Sequence, residues 1–564
     1  MKKLRWQFVI ILITGLIVGV LLIGQQQPTS PEALTPTPAT GGSYTEALVG
    51  SLKRLNPLLE QYNSVDSDVD RLIYSSLMRF DARGLAYGDL VESWGVSKDG
   101  TQYNFSLKSN LTWQDGQPLT ADDVLYTFGL LKQSSSPVPE DLKAFWEDIE
   151  VLRLSDTLIQ FRLPEPYAPF LDYLTIGILP KHKLENVAPD QLADSPFNLQ
   201  PLGSGPYKFD HFLVENGQIT GVTLSSNKYY YNKLPYIDQI IFKYYPDSET
   251  AFAAYLAGDV QGIGNISPEI LPDVLSDPNL MIYTGRLPQI AIVYLNLKNT
   301  DVPFFSDSNL RRALLLGINR QQIINSVYNG QAILANGPIL PGNWAYYDGL
   351  DEVTYDPDGA RKVLSDAGYK VNPDTNELDT KDGVPVKFQL LYPDDANHQA
   401  IAEAIQKSWA DLGINIDLQA APYDQLISDQ LGARVYQAAL VDINLSSSPD
   451  PDPYPFWDQA QATGGQNYSQ WDDKNASEYI EQARITTDIT ERIRLYRNFQ
   501  VIFQKELPSL LLFYPVYTYA ISDQVLGVQL GPMYEPSDRF ITITSWFLSS
   551  KFLPEKTAAP TNKP

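Results

Sequence analysis

No cysteine occurs anywhere in the 564 residues. A chain of this length must then be held by buried apolar surface and hydrogen bonds, without covalent staples. The same absence excludes thiolate zinc sites, iron–sulfur clusters and a cysteine nucleophile. Histidine is scarce too: only His182, His211 and His398 exist, which leaves little for metal or triad chemistry. Hydrophobic residues make up 43 % and charged residues 19 %, the balance of a globular chain rather than a disordered one. The length corresponds to about three or four domain-sized units at roughly 150 residues each. Against 42 Lys+Arg stand 67 Asp+Glu, a net charge of −25. Such a surface cannot neutralise phosphates, so no nucleic-acid partner is expected.

The N-terminus sets the expected address. Lys2, Lys3 and Arg5 precede residues 8–23, which carry no charge, and Gly24 leads into a polar exit. Basic flank followed by apolar run describes a signal anchor or signal peptide over 1–24. The positive charges stay on the cytoplasmic side, so the body is expected outside the cytoplasm, tethered to the outer face of the membrane, or secreted or periplasmic if cleaved. Residues 25–42 are rich in Pro and Thr and form an extended tether, while 554–564 is a disordered tail.

Within the body, strand and helix alternate. Residues 386–391 (VKFQLL) are an apolar strand, 398–412 place Ile401, Ile405, Trp409 and Leu412 on one helical stripe, and 414–418 alternate again. This β-α-β order requires a parallel pair with a right-handed crossover. Asp356-Pro357 reads as helix cap and first turn, with Gly368 as the stop. Residues 290–297 form a further strand, 309–328 a helix, and about 490–507 a long helix whose buried face carries Ile493, Tyr496, Gln500 and Phe503.

Catalytic signatures are missing. There is no phosphate-cradling G-x-x-x-x-G-K-[ST], no G-x-S-x-G elbow and no H-E-x-x-H. Asp66-Ser67-Asp68-Val69-Asp70 imitates a calcium loop, but Arg71 stands where glycine is needed, so the run reads as a solvated helix start. Binding is the better reading, and no cofactor is expected.

Positive evidence comes from blocks in a fixed order. Leu90-Val91-Glu92-Ser93-Trp94 leads through the Asp99-Gly100 turn into an alternating strand with Tyr103, Phe105 and Leu107 on one face. Trp113-Gln114-Asp115-Gly116 precedes Thr120 as a helix cap, with Asp122 and Asp123 in the first turn. Gly203-Ser204-Gly205-Pro206-Tyr207, Tyr294-Leu295-Asn296-Leu297, Leu310-Arg311-Arg312-Ala313-Leu314, residues 360–369 and 492–508 complete the series. Over nearly all of 43 to about 548 the chain resembles the extracytoplasmic substrate-binding proteins of peptide-type ABC importers, the dipeptide- and oligopeptide-binding family 5.

The resemblance implies an α/β, two-lobed periplasmic-binding-protein-like clamp of class II type. Lobe I is expected over 43–288 plus 514–553, with an extra subdomain at about 91–200, and lobe II over 289–513. A peptide or other small solute would be captured between the lobes and passed to ABC permease subunits, the chain acting as a monomer and not as an enzyme. The alternatives are an oligosaccharide or other small-solute receptor of the same family and, outside it, an extracellular hydrolase.

By the same resemblance, an aspartate of lobe II would hold a ligand ammonium. Asp442, where the apolar run 438–441 meets a loop, is the candidate, with Asn444 beside it and Asp450 and Asp452 in the Pro-rich stretch that follows. Tyr207, Trp344, Tyr347 and Trp457 are the aromatic candidates. The arginine that dipeptide binders place after the VKFQLL-type strand is absent, since 392–399 reads YPDDANHQ. This departure puts strict dipeptide recognition in doubt; it allows longer peptides, held by their backbone, and equally oligosaccharides, for which the aromatic candidates would be platforms.

Overall fold

The computed structural model describes residues 38–549, save 62, 82, 446–448 and 532. The anchor, nearly all of the tether and the tail lie outside the described residues. Among those described, no helix is long and apolar enough to cross a membrane.

Lobe I begins with β1 (Ser43–Val49) and α1 (Ser64–Ile73), capped by the Asn63 side chain. A four-stranded antiparallel sheet follows, made of β2 (Val91–Val96), β3 (Gln102–Leu107), β4 (Glu150–Arg153) and β5 (Leu158–Arg162) in the order β2-β3-β5-β4. Between β3 and β4 lies α2 (Ala121–Leu131), whose Thr120 and Asp123 close a capping box of the kind the sequence announces. The chain then returns to the main sheet through β6 (Tyr207–Glu215), β7 (Gln218–Ser226), β8 (Gln239–Tyr245) and β9 (Gly262–Ile263), with β1 between β8 and β9.

The crossing to lobe II occurs between β10 (Leu280–Arg286) and β11 (Gln289–Leu295). In β11 alternate residues serve different cores: Ala291, Val293 and Leu295 pack on one side, Ile290, Ile292 and Tyr294 on the other. A strand buried on both faces has to be apolar without alternation, as IAIVYL is. The expected β-α-β unit is present. β12 (Lys387–Pro393) pairs in parallel with β13 (Asn415–Ala421), and α3 (Ala396–Ala410) crosses between them. β14 (Ala438–Asn444) joins β11 to β12, and α4 (Lys474–Ile485) and α5 (Ile489–Glu506) cover the second face.

One strand belongs to both lobes. β15 (Ser509–Ser522) pairs with β11 through its first residues and with β9 and β10 through its last. The segment after it, ending at a short 3-10 turn Pro536–Phe540, packs back on α1.

Three sequence expectations need correction. The 309–328 helix is two helices, Ser308–Gly317 and Arg320–Val327, because Ile318 takes an extended conformation between them. On α5, Ile493 is 41 % exposed, and the buried face runs instead through Leu495, Tyr496, Phe499, Gln500 and Phe503. Most consequentially, Asp66, Asp68 and Asp70 begin a helix but are not solvated; all three are buried.

Candidate functional site

The lobes meet along a seam, and each candidate can be placed relative to it. β14 supplies apolar residues to both cores up to Val441, then emerges at Asp442, which stands opposite Ala291 of β11, close to the chain crossing. The Asp442 carboxylate faces His398: Oδ2 lies 3.5 Å from Nε2. His398 is fixed in turn by Asp395, the cap of α3, whose Oδ2 lies 2.6 Å from Nδ1 and whose Oδ1 accepts the His398 N–H. Gln289 donates to Asp442 Oδ2 at 3.4 Å, and the Tyr423 hydroxyl donates to the Asp442 carbonyl. Asp442 Oδ1 is buried and meets no donor.

Burial draws the His398 pKa down, but the carboxylates of Asp442 and Asp395 outweigh it, and the net shift is upward. A raised histidine pKa contributes stability that is full below the unfolded value near 6.5 and lost as pH rises through the folded one. Unfolding free energies of wild type and His398→Gln, measured by denaturant titration from pH 5 to 9, should therefore differ most at the acid end, by about 1.5–3 kcal/mol, and converge in alkali. A constant difference would show that the imidazole acts only by shape.

Asp450 is not at the surface. It is 6 % exposed and grips Arg492 in a bidentate pair, Nη1–Oδ2 at 2.6 Å and Nη2–Oδ1 at 2.8 Å. Arg492 also donates to the Ala483 carbonyl and lies over the Trp344 ring. The expectation that Asp450 contacts ligand is corrected: both oxygens are committed inside the protein. Its backbone N–H, however, donates across the seam to Asp172 Oδ2 at 2.8 Å. The neighbouring Asp452 pairs with Arg484 (2.9 Å), whose guanidinium is sandwiched between Tyr454 and Tyr167, the latter from lobe I. Trp344 N–H donates to the Arg83 carbonyl, and Asn343 donates to the Pro449 carbonyl.

Two aromatic candidates are corrected as well. Tyr207 is fully buried, its hydroxyl donating to the Ile237 carbonyl, and Trp457 is 2 % exposed, packed on Phe503 and Tyr294. Both are core residues: Tyr207 opens β6 and Trp457 closes a short helix, Tyr454–Trp457, and each side chain is packed inside its own lobe. Trp344 is half-buried at the seam, and Tyr347 is half-buried beneath Arg497 of its own lobe. Asn444 is exposed at the end of β14.

Sequence reasoning missed His398, Arg484 and Arg492. For the arginines no local signal exists, since the partners lie 32 and 42 residues away. His398 lay in the quoted 392–399 segment, and its position three residues after a capping aspartate was the available clue.

A mixed sheet with two lobes joined by one shared strand and meeting at a seam defines a binding-protein clamp. The chain belongs to the bacterial extracellular solute-binding proteins, family 5, whose family model matches residues 86–466. It is similar to the dipeptide-binding protein of Escherichia coli K12, 25 % identical over 462 residues, which cover 79 % of this chain and 84 % of that one. It is also similar to the oligopeptide-binding protein AppA of Bacillus subtilis 168, 27 % identical over 527 residues, covering 91 % and 92 %. The solved structure of that AppA with a nonapeptide matches with a TM-score of 0.65 at 26 % identity, over 91 % of this chain and all of the other. HbpA2 of Haemophilus parasuis, at 20 % identity and a TM-score of 0.78, shares the fold. The family comprises extracellular binding proteins rather than enzymes, which sets the hydrolase alternative aside.

Proposed function

We propose that this chain is the solute receptor of an ABC importer and captures peptides between its lobes for delivery to permease subunits in the membrane. The observation that carries the reading is the near full-length match to AppA, a protein whose solved structure holds a nonapeptide. The absence of arginine from 392–399 favours ligands longer than a dipeptide, whose backbone can be held strand-like. Lobe I comprises 43–288 with 514–553, with the subdomain at about 91–200, and lobe II comprises 289–513; the crossings at 288 and 513 act as the hinge. The N-terminal segment tethers the body outside the cell membrane, and the receptor works as a monomer.

Asp442 holds the ligand ammonium, using the oxygen that has no internal donor, with Asn444 beside it, Trp344 on the seam and Tyr347 beneath Arg497. Native mass spectrometry of the purified chain should show adducts that denature away as peptides. Asp442→Asn should weaken peptide binding by about tenfold or more, the worth of a charge-assisted hydrogen bond, with a melting temperature within a few degrees of wild type. Unchanged affinity with a lowered melting temperature would make Asp442 structural. Released hexose or pentose oligomers would replace peptide as the ligand class.

A further inference from the structure

The three aspartates of α1 are buried, but they are not equivalent. Asp66 accepts the backbone N–H groups of Lys53 and Arg54 at 2.7 and 2.9 Å, and Asp68 is held by Arg539. Asp70, only 2 % exposed, makes no well-aligned hydrogen bond at either oxygen, its neighbours being the Asn56 N–H and the Glu60 carboxyl. It lines a cavity of about 40 Å³ together with Glu60, Arg71, Arg79 and Glu535. Glu60 Oε2 is also buried without a donor. The two arginines are committed elsewhere, Arg71 to Asp538 at 2.6 Å and Arg79 to Asp89 at 2.8 Å. Glu60, Asp70 and Glu535 therefore line one small cavity whose nearest cation, Arg71, is shared with Asp538 and makes no ion pair within 4 Å to any of the three.

The cavity has room for about one water-sized group. Among the described residues no three acidic or histidine side chains stand so as to hold a metal ion. What fits is a cation recognised by hydrogen bonds, and a primary ammonium offers three donors to the vacant oxygens of Asp70 and Glu60. The position is informative as well. Thr175 and Gly177 of the cavity wall follow Asp172, which accepts the Asp450 N–H across the seam. Glu535 follows Tyr534, whose hydroxyl lies beside Gly84, and a Cβ on Gly84 would stand 3.0 Å from the Pro449 carbonyl of lobe II.

We propose that this cavity is an ammonium site on lobe I, shaped for the head of a lysine-like side chain of a bound solute or for free ammonium. Its role in solute capture rests on the peptide-receptor reading above; its affinity for an ammonium group does not. Burial, then the charge of Glu535, push Glu60 up to about 8, and burial, then Glu60, raise Asp70. Asp66, Asp68, Arg71, Arg79, Asp538, Tyr74 and Tyr244 are the other ionisable groups around them. Without a bound cation these acids keep protons that an entering cation displaces, so affinity should rise from pH 6 to pH 8.

The test uses the full chain, with methylammonium chloride as probe and tetramethylammonium chloride as a control that cannot donate. Methylammonium should raise the melting temperature, more at pH 8 than at pH 6, and tetramethylammonium should not. Asp70→Asn should abolish the difference; should that variant fold poorly, Glu60→Gln serves in its place. A tripeptide with central lysine should bind about tenfold more tightly than its norleucine counterpart, and equally well in the variant. Methylammonium binding without lysine preference assigns the site to the free ion. Methylammonium binding with no peptide bound at all keeps the site and removes the receptor reading. Equal melting temperatures in both salts overturn the proposal, leaving a water-filled cavity whatever the peptides do.

Discussion

Arg539→Met should destabilise the protein by about 3–5 kcal/mol, the range for removing one partner of a buried ion pair. The side chain is 0 % exposed and serves two acids at once: Nε and Nη2 donate to Glu46 Oε1 at 2.9 and 2.7 Å, while Nη1 and Nη2 donate to Asp68 at 2.5 and 2.8 Å. Glu46 is also 0 % exposed, and only the Tyr44 and Tyr519 hydroxyls remain to it when the guanidinium is gone. Burial already raises the pKa of both acids against the pull of Arg539. Without the cation, each must take up a proton or drag water inward. The expected drop in melting temperature is on the order of 10 °C. Glu46→Gln combined with Asp68→Asn in the Met background should recover part of it, because apolar or neutral replacement of all members avoids the orphaned charge. A single Met variant that melts like wild type would show that the acids are already neutral.

A second large effect is expected at Arg492. Its bidentate pair with Asp450 is 6 % and 7 % exposed, so Arg492→Met again leaves a buried carboxylate, at about 3–5 kcal/mol. Here the stability loss should come with a change of shape. The stretch from Pro449 to Asp452 is one part of lobe II that touches lobe I, through the Asp450 N–H on Asp172 and, by way of its partner Arg484, on the Tyr167 ring. Once the anchor is lost, the seam has no rigid edge, and the open form should gain population. Small-angle scattering should report a larger radius of gyration for Arg492→Met at a temperature where it remains folded. Arg492→Lys should rescue little, because an ammonium cannot reproduce the two-pronged geometry or the contact with Trp344. Compact scattering in the Met variant would separate the ion pair from closure.

What could be read beforehand depended on the range of the forces involved. The cap at Asp356-Pro357, the capping box at Thr120 and the crossover through α3 are local, and their residues state them. Burial of charge is not local. Asp66-Ser67-Asp68-Val69-Asp70 looks solvated because the arginine that neutralises Asp68 comes 471 residues later. Asp450 between prolines looks like a loop tip, whereas Arg492 on α5 pulls it into the core. For Tyr207 and Trp457, composition marks an aromatic, but only the packing partners decide whether it faces ligand or core. Asp442 was chosen by its place at a strand end, and the structure adds the histidine beside it, a residue whose meaning depended on two carboxylates meeting in space.

The placement of Arg539 also bears on the order in which the polypeptide can mature. Lobe II is continuous in sequence and its elements are complete once β15 begins. Lobe I is opened by β1 and α1, yet its buried acids Glu46 and Asp68 wait for an arginine near the end of the chain. During synthesis and passage out of the cell, the half made first must therefore be finished last. A purified chain truncated before residue 539 should show a protease-resistant lobe II and a protease-sensitive N-terminal half, whereas the full chain should resist at both.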